Sequence, residues 1–64
     1  MNTGKVKFYN DNKGFGFIID DETKKEVFVH RSGVREDIQE DDRVTYRIEQ
    51  GQKGLTAVDV EREN

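Results

Sequence analysis

Two phenylalanines stand at alternate positions in the segment KGFGFIID (13–20), with a glycine between them and a lysine in front. In a β-strand, successive side chains point to opposite faces, so Phe15 and Phe17 share one face while Gly16 and Ile18 share the other. Rings on an exposed face could stack on planar groups such as nucleobases, whereas rings on a buried face would be ordinary core residues. The chemistry of this segment therefore depends on which face is inside.

A second segment, EVFVH (26–30), indicates which face that is. Strand alternation separates its valines from its ring-bearing residues, with Val27 and Val29 on one face and Phe28 and His30 on the other. We expect the face with His30 to be exposed, because a small apolar core has little room for an unpaired imidazole. Phe28 is then exposed as well, and Phe15 and Phe17 lie beside it on the same outer surface.

The apolar residues of the opposite face form the predicted core, namely Ile18, Val27, Val29, Val44 and Ile48. The alternative is that His30 is a hydrogen-bonded core residue and that the three phenylalanines are buried with it, as aromatic side chains usually are. The sequence pattern leaves both arrangements open, and we take the exposed arrangement as the prediction.

Turn signals divide the chain into five short extended segments. Strands are predicted at residues 4–10, 14–20, 26–30, 43–49 and 55–61. The charged segment 31–42 breaks the alternation, and we predict a loop with one helical turn that directs Val34 and Ile38 inward. Five short strands without a long helix predict an all-β fold, a closed five-stranded antiparallel barrel, because closure removes the exposed sheet edges.

The composition limits the classes of function. The chain has 64 residues, enough for a single domain (1–64), and no cysteine, which excludes disulfides, thiolate nucleophiles and cysteine zinc sites. It shows no signal peptide and no apolar run of membrane-spanning length, so a cytoplasmic protein is expected. Nothing resembles a nucleophile–base pair, and the acidic clusters at 20–22 and 40–42 lack a calcium-loop pattern. We predict no enzyme, metal site, cofactor or small-molecule substrate, and the acidic clusters are predicted to be solvated turns.

The charge is unevenly distributed along the chain. The net charge of −3 disfavours a nucleic-acid partner, since such proteins usually have a basic excess. However, residues 1–19 hold three lysines and one aspartate, a net charge of +2, while the other 45 residues hold 8 basic and 13 acidic side chains, a net charge of −5. Five of the six aromatic residues lie between Phe8 and Phe28, so lysines and rings are interleaved in one region. That combination favours a surface that stacks on bases and contacts phosphates.

At these residues the chain resembles the bacterial cold-shock proteins. KGFGFI (13–18) matches the first ribonucleoprotein-type motif of that family and VFVH (27–30) matches the second, while GKVKFYN (4–10) is similar to its opening strand and KG (53–54) to its last hairpin turn. The resemblance implies a barrel of the OB type that binds single-stranded RNA and DNA. It also implies an RNA chaperone that opposes secondary structure, with influence on transcription termination or translation in some members.

The resemblance assigns roles to individual residues. Phe15, Phe17, Phe28 and His30 would be the central stacking residues, Lys7, Lys13 and Lys53 would contact phosphates, and Asn10 would be a polar contact. Phe8 stands where the family usually has tryptophan and Tyr9 where it has phenylalanine, so both are included in the site. Here strict alternation from an inward Val6 puts Phe8 inside and Tyr9 outside, whereas the family places the ring at position 8 on the binding surface. A bulge would reconcile the two.

Three departures from the family pattern bear on this prediction. Arg31 stands where a phenylalanine is usual, and its guanidinium could stack on a base or reach a phosphate, so it is included in the site. The segment 32–45 has no aromatic residue, although the family's loop usually contributes one, and Leu55 replaces a usual proline in the turn. Fewer rings and no tryptophan predict weaker binding or a shorter footprint than is typical of the family.

A protein-docking surface is the alternative function, because an exposed aromatic patch can also bind another protein. The interleaved lysines favour nucleic acid, since a base-stacking groove needs positive charge beside its rings. We therefore expect single-stranded RNA and DNA as partners, no membrane association, and a monomer.

Overall fold

The computed structural model describes residues 1–51 and 54–63, and most of them belong to strands. The strands are β1 (Asn2–Asn10), β2 (Phe15–Asp20), β3 (Glu26–His30), β4 (Arg43–Gly51) and β5 (Gly54–Arg62). A single 3₁₀ turn over Arg31–Gly33 follows β3. All five predicted strands are confirmed, with ends that differ by at most two residues. No helix in the described ranges is long and apolar enough to cross a membrane.

The strands form a closed barrel in the order β1-β2-β3-β5-β4. Among the described residues, β1 pairs antiparallel with β2 and β4, and the β2–β3 and β4–β5 ladders are antiparallel too. The β3–β5 ladder is the exception to the predicted antiparallel barrel, because it is parallel. Its direction follows from the connection: the chain leaves β3, passes over one end of the barrel and makes the β4–β5 hairpin before pairing again with β3.

The inside of the barrel is apolar and tightly closed. Its buried residues are Val6, Ile18, Val27, Val29, Ile38, Val44, Tyr46, Ala57 and Val60. Four of the five predicted core residues belong to this set, and the fifth, Ile48, is partly buried against it. Ile38 and Val34 both pack inward from the loop after β3, as predicted. The phenylalanines are absent from this buried set, which excludes the alternative core of three rings around His30.

One carboxylate lies inside the barrel wall. Asp20, at the end of β2, is only 2% exposed and accepts hydrogen bonds from the Tyr46 hydroxyl (2.5 Å) and from the backbone N–H of Thr23 (3.0 Å) and Glu22 (3.1 Å). These bonds lower the pKa of Asp20, and burial together with the adjacent carboxylate raises the pKa of Tyr46. The prediction that cluster 20–22 is a solvated turn is therefore wrong for Asp20. The burial of this carboxylate is tolerated because its oxygens accept hydrogen bonds inside the protein, and its bond with Tyr46 links β2 to β4.

Candidate nucleic-acid interface

A β-bulge at Lys7 decides the orientation of the rings on β1. Val6 is paired with Ile18, but the next pair is Phe8 with Phe17, so Lys7 is one extra residue on β1. The insertion reverses the faces after it: Phe8 lies on the outer surface and is 37% exposed. Strict alternation is therefore wrong for residues 8 and 9, and the arrangement expected from the family resemblance holds for Phe8.

Glycine 16 permits this bulge. A Cβ atom at Gly16 would overlap the carbonyl oxygen of Phe8 and would lie 2.8 Å from the Cα atom of Tyr9. The backbone of β1 can approach β2 so closely only because residue 16 has no side chain. Tyr9, now directed inward, is partly buried and packs against the core instead of joining the outer rings.

The four phenylalanines form one continuous outer surface, which we call the aromatic surface (Phe8, Phe15, Phe17 and Phe28). Ring centroids are 5.6 Å apart for Phe8 and Phe17, 5.8 Å for Phe17 and Phe28, and 6.0 Å for Phe15 and Phe28. The last pair is nearly parallel at 21°, and the Phe17–Phe28 pair is edge to face at 74°. These are favourable aromatic geometries, so the rings support one another while their outer faces remain accessible.

Strand register aligns three of these rings in a single row across the barrel. Phe8 is paired with Phe17, Phe17 with Phe28, and Phe28 with Thr56 of β5. The row thus ends at the hydroxyl-bearing Thr56, which the sequence prediction of the site does not include. Only the β3–β5 pairing reveals this neighbour, and no local sequence pattern predicts a parallel ladder between residues nearly thirty positions apart.

His30 borders the aromatic surface at the end of β3. Together with Phe15, Phe17 and Phe28 it lines a shallow depression of about 420 Å³, and its side chain is exposed as predicted. Its Nδ1 atom accepts a hydrogen bond from the backbone N–H of Ser32 (3.1 Å) and lies 2.9 Å from the Ser32 hydroxyl. Because Nδ1 is an acceptor, the proton of the neutral imidazole is on Nε2. His30 can therefore stack on a base while offering an N–H donor at its outer edge.

The lysines differ in how free they are. Lys7 is exposed beside the aromatic surface, but its ammonium group is 2.6 Å from the carboxylate of Glu26 on β3. Lys13 is exposed in the turn before β2, where its backbone N–H donates to the Asn10 side chain at 3.0 Å. The amide oxygen of Asn10 thus closes the turn, and its NH₂ group is the part left to contact a ligand. Lys53 lies outside the described residues.

Arg31 lies just beyond His30, at the edge of the aromatic surface. Its backbone N–H donates to the carbonyl of Gly14 at 2.7 Å, which joins the end of β3 to the turn before β2. Its exposed side chain lies over that turn, since a Cβ atom at Gly14 would be 3.2 Å from the Arg31 Nε atom. Gly14 has φ +76°, a conformation that favours glycine. The structure thus brings together ten of the eleven predicted site residues at one side of the barrel, the eleventh being Lys53. Tyr9 is among the ten, but it is turned inward at the edge of the site.

Comparisons with known proteins agree with this geometry. Residues 2–63 match the family described as the 'Cold-shock' DNA-binding domain. The cold shock-like protein CspG of Shewanella violacea is 45% identical over 62 residues, which cover 91% of this chain and 89% of that protein. The major cold shock protein of Micrococcus luteus is 41% identical over 64 residues, covering 94% of this chain and 96% of that protein.

A solved structure shares the fold at lower identity. The structure titled drosophila Unr CSD456 superimposes with a TM-score of 0.82 at 23% identity, over 98% of this chain and 26% of that longer chain. This likeness bears on the fold alone, while the family match and the two relatives bear on nearly the whole sequence. They confirm the resemblance inferred from the two motifs: this chain belongs to the cold-shock domain family, whose OB-fold members bind nucleic acid and are not enzymes.

Proposed function

We propose that this protein binds single-stranded RNA and DNA on the aromatic surface and acts as an RNA chaperone. The observation that carries the proposal is the group of four outward-facing phenylalanines, 5.6–6.4 Å from their neighbours, with His30 and lysines at its borders. The core of the barrel is complete without these four partly exposed rings, so folding alone does not explain why they lie together on one face. A series of unpaired bases is a ligand that matches them.

The energetics favour stacking as the main source of affinity. Each base stacked on an aromatic side chain contributes about 1–3 kcal/mol, so three or four stacks give roughly 3–12 kcal/mol before the cost of ordering the strand. Lys7 and Lys13 add contacts to the phosphates between the bases. Because every base has a π-face, such binding tolerates different sequences, which suits a protein that acts on many RNAs.

Chaperone action needs no nucleotide hydrolysis in this mechanism. In a duplex, the base faces are stacked on one another and are inaccessible to the rings, so the protein binds the open strand and leaves the paired state unbound. Occupancy then shifts the pairing equilibrium towards single strand by mass action. An influence on transcription termination or translation would follow wherever an RNA hairpin is the regulatory element.

The remaining features of the proposal concern the whole chain. Residues 1–64 act as a single domain in the cytoplasm. The protein acts as a monomer, since one aromatic surface on one barrel is sufficient for the binding mode described. Sedimentation of the protein with and without oligonucleotide would detect a dimer, which would contradict this part of the proposal without affecting the binding mode.

Fluorescence anisotropy with a labelled oligo-T heptamer tests the binding mode directly. Wild-type protein should bind the heptamer and bind the same label on a duplex much more weakly. Phe17→Ala should weaken binding by about 1–3 kcal/mol, and the double variant Phe15→Ala/Phe17→Ala should weaken it further. Val58→Ala is the control, because Val58 is a partly buried residue of β5 outside the aromatic surface. Urea unfolding of each variant separates lost binding from lost folding.

A hairpin RNA carrying a fluorophore and a quencher tests the chaperone role. Excess wild-type protein should lower the melting temperature of the hairpin, and the double phenylalanine variant should not. Heptamer binding without any effect on the hairpin would restrict the function to single-strand binding. Absence of heptamer binding by folded wild-type protein would reject both roles and favour a protein-docking surface.

A further inference from the structure

A pocket of about 210 Å³, lined by both charged and apolar side chains, adjoins the aromatic surface at its His30 end. Its lining includes Tyr9 and Ile38 together with charged side chains from the turn after β1 and from the segment after β3, among them Asp11, Arg31 and Asp37. The pocket and the aromatic surface are adjacent, because the pocket residues Tyr9 and Arg31 directly follow Phe8 and His30 in the chain. A strand lying on the rings can therefore continue into this pocket without crossing the barrel.

The charged groups of the pocket fall into two classes. Arg35 is held by Asp59 at 3.2 Å, and Glu36 is held by Arg62 at 3.3 Å, so both are engaged in structural ion pairs. Asp11, Arg31 and Asp37 take part in no ion pair within the ranges 1–51 and 54–63. These three line the pocket together with Tyr9 and are free to bind a ligand.

The phenol of Tyr9 adds a donor to this set. Partial burial and the nearby Asp11 and Asp37 carboxylates raise the pKa of Tyr9, while Arg31 lowers it. The hydroxyl therefore keeps its proton near neutral pH and can both donate and accept a hydrogen bond. The pocket thus offers a guanidinium, two carboxylates and a hydroxyl within a small volume.

The two carboxylates, the guanidinium and the hydroxyl of this pocket favour a nucleobase as the ligand and disfavour a phosphate. Two unpaired carboxylates repel a phosphate group, whereas a neutral base can satisfy the pocket through hydrogen bonds along its edges. Guanine has the matching pattern: its O6 and N7 acceptors are the usual partners of arginine, and its N1–H and N2–H₂ donors suit a carboxylate. Adenine and thymine lack two adjacent donors on one edge, and cytosine has a single donor group there.

We propose that the pocket formed by Tyr9, Arg31 and Asp37 is a guanine-selective subsite for a nucleotide at one end of a strand bound to the aromatic surface. Arg31 would bind the O6/N7 side of the base and Asp37 its N1/N2 side. The proposal rests on the proposed single-strand binding, since the rings hold the rest of the strand. Its effect would be a terminal base preference added to an otherwise sequence-tolerant surface.

Two series of labelled oligonucleotides test this subsite. Each oligonucleotide is an oligo-T heptamer extended by one G, A, C or T, at the 5′ end in one series and at the 3′ end in the other. In one of the series, wild-type protein should bind the G-extended strand about fivefold or more tightly than the T-extended strand. The ratio of the two affinities is the quantity compared between variants, because it is independent of changes in overall binding.

Variants of the pocket identify the groups responsible. Asp37→Asn and Arg31→Gln should each reduce the guanine-to-thymine ratio to near one. Glu40→Gln removes an exposed carboxylate of the same segment outside the pocket, and should leave the ratio unchanged. Asp37 and Arg31 are exposed, so these substitutions should not unfold the barrel.

Three results would overturn the subsite. Equal affinity for all four terminal bases in both series, with heptamer binding intact, would reject it and leave the proposed function standing. A guanine preference that survives in both pocket variants would assign it to another site, and a stronger preference for cytosine would reject guanine as the ligand. If the heptamer itself does not bind, the proposed function and the subsite fail together.

Discussion

Lys7 is a candidate for phosphate contact, but its ammonium group already forms an ion pair with a carboxylate of the protein. As the extra residue of the β1 bulge, it extends across β2 to Glu26 on β3, at 2.6 Å between ammonium and carboxylate. Both side chains are about half exposed, so the pair contributes little to folding stability. Its stronger effect is on binding, because a phosphate that approaches Lys7 meets the Glu26 carboxylate as a competitor.

Glu26→Gln should therefore strengthen single-strand binding. An exposed ion pair is worth about 0.2–1 kcal/mol, so we expect an increase in affinity of about one and a half- to fivefold. The salt dependence should also become steeper, by less than the roughly 0.7 that a full phosphate contact adds to the slope of log K against log salt, because Lys7 no longer divides its charge between Glu26 and a phosphate. Anisotropy titrations of oligo-T at several salt concentrations measure both effects.

Glu61→Gln is the matched control for this change. It removes the same charge from an exposed position on β5, where the backbone pairs with Thr45. If both variants strengthen binding equally, the cause is the net charge of the protein and the Lys7–Glu26 competition is excluded.

Asp20 should make the stability of the folded protein depend on pH in the acid range. Its pKa lies below the ordinary value of 3.8, chiefly because the Tyr46 hydroxyl and then the Thr23 backbone donate hydrogen bonds to the carboxylate. A carboxyl whose pKa is lower in the folded protein than in the unfolded chain stabilises the fold above the ordinary pKa, and this stabilisation is lost as pH falls through the folded-state pKa. Urea unfolding from neutral pH down to acid should show this loss. Asp20→Asn should make the acid part of the profile flatter.

The Tyr46 hydroxyl should account for much of this stability near neutral pH. Tyr46→Phe leaves Asp20 buried without its shortest hydrogen bond, and we expect a loss of about 1–3 kcal/mol in the free energy of unfolding. Tyr9→Phe is the control, since no hydrogen bond of the Tyr9 hydroxyl is found among the described residues, and it should change stability by less than about 0.5 kcal/mol. Equal effects of the two substitutions would mean that the Asp20–Tyr46 bond is energetically unimportant.

Between strands, the β1 bulge and Gly16 act as one unit. The bulge turns Phe8 outward, and the missing side chain at Gly16 makes room for the displaced β1 backbone. We expect Gly16→Ala to cost about 1–3 kcal/mol in unfolding free energy, because the new methyl group overlaps the Phe8 carbonyl. It should also weaken oligo-T binding, since relief of the overlap displaces Phe8.

Glu61→Ala serves as the reference, because it places alanine at an exposed strand position and should change stability by less than about 0.5 kcal/mol. Unfolding and oligo-T titration of both variants are the measurements. Wild-type stability in Gly16→Ala would show that the bulge relaxes without cost, and that close approach at Gly16 is not required.

The strands also show how far alternation predicts structure. It gives the buried residues correctly wherever a strand is regular, as for Val27 and Val29 on β3 and Val44 on β4. It fails at Phe8 because one inserted residue reverses every side chain after it, and no residue type marks the insertion at Lys7. The family resemblance anticipates the outward ring, since it compares position 8 directly and does not depend on counting along the strand.

Contacts distant in sequence could not be predicted in the same way. The Lys7–Glu26 ion pair, the Asp20–Tyr46 hydrogen bond and the Phe28–Thr56 pairing each join residues 19 or more positions apart. Each depends on strand order and register, which only the closed barrel determines. The pocket at Arg31 has the same origin, because the segment after β3 folds over the barrel end and meets the turn after β1.

For the whole molecule, the distribution of charge matters more than its sum. The protein has a net charge of −3, yet Lys7, Lys13 and Arg31 lie along the border of the aromatic surface. Four acidic side chains in the described ranges are paired with arginines, among them Asp21 with Arg43 and Asp59 with Arg47. In the proposed function, the acidic remainder would repel the closely spaced phosphates of a duplex, while the rings would stack on unpaired bases. Selection of single strands would therefore depend on the entire surface.

The salt dependence of binding tests this balance. Contacts to two or three phosphates predict a slope of about −1.5 to −2 for log K against log salt on single strands, and stacking should supply most of the affinity at every salt concentration. Lys7→Gln should make the slope shallower by up to about 0.7, whereas Phe17→Ala should lower affinity at all salt concentrations and leave the slope unchanged. A wild-type slope near that of a strongly basic protein, about −5 or steeper, would show that counterion release dominates. The rings would then orient the strand without providing most of its binding energy.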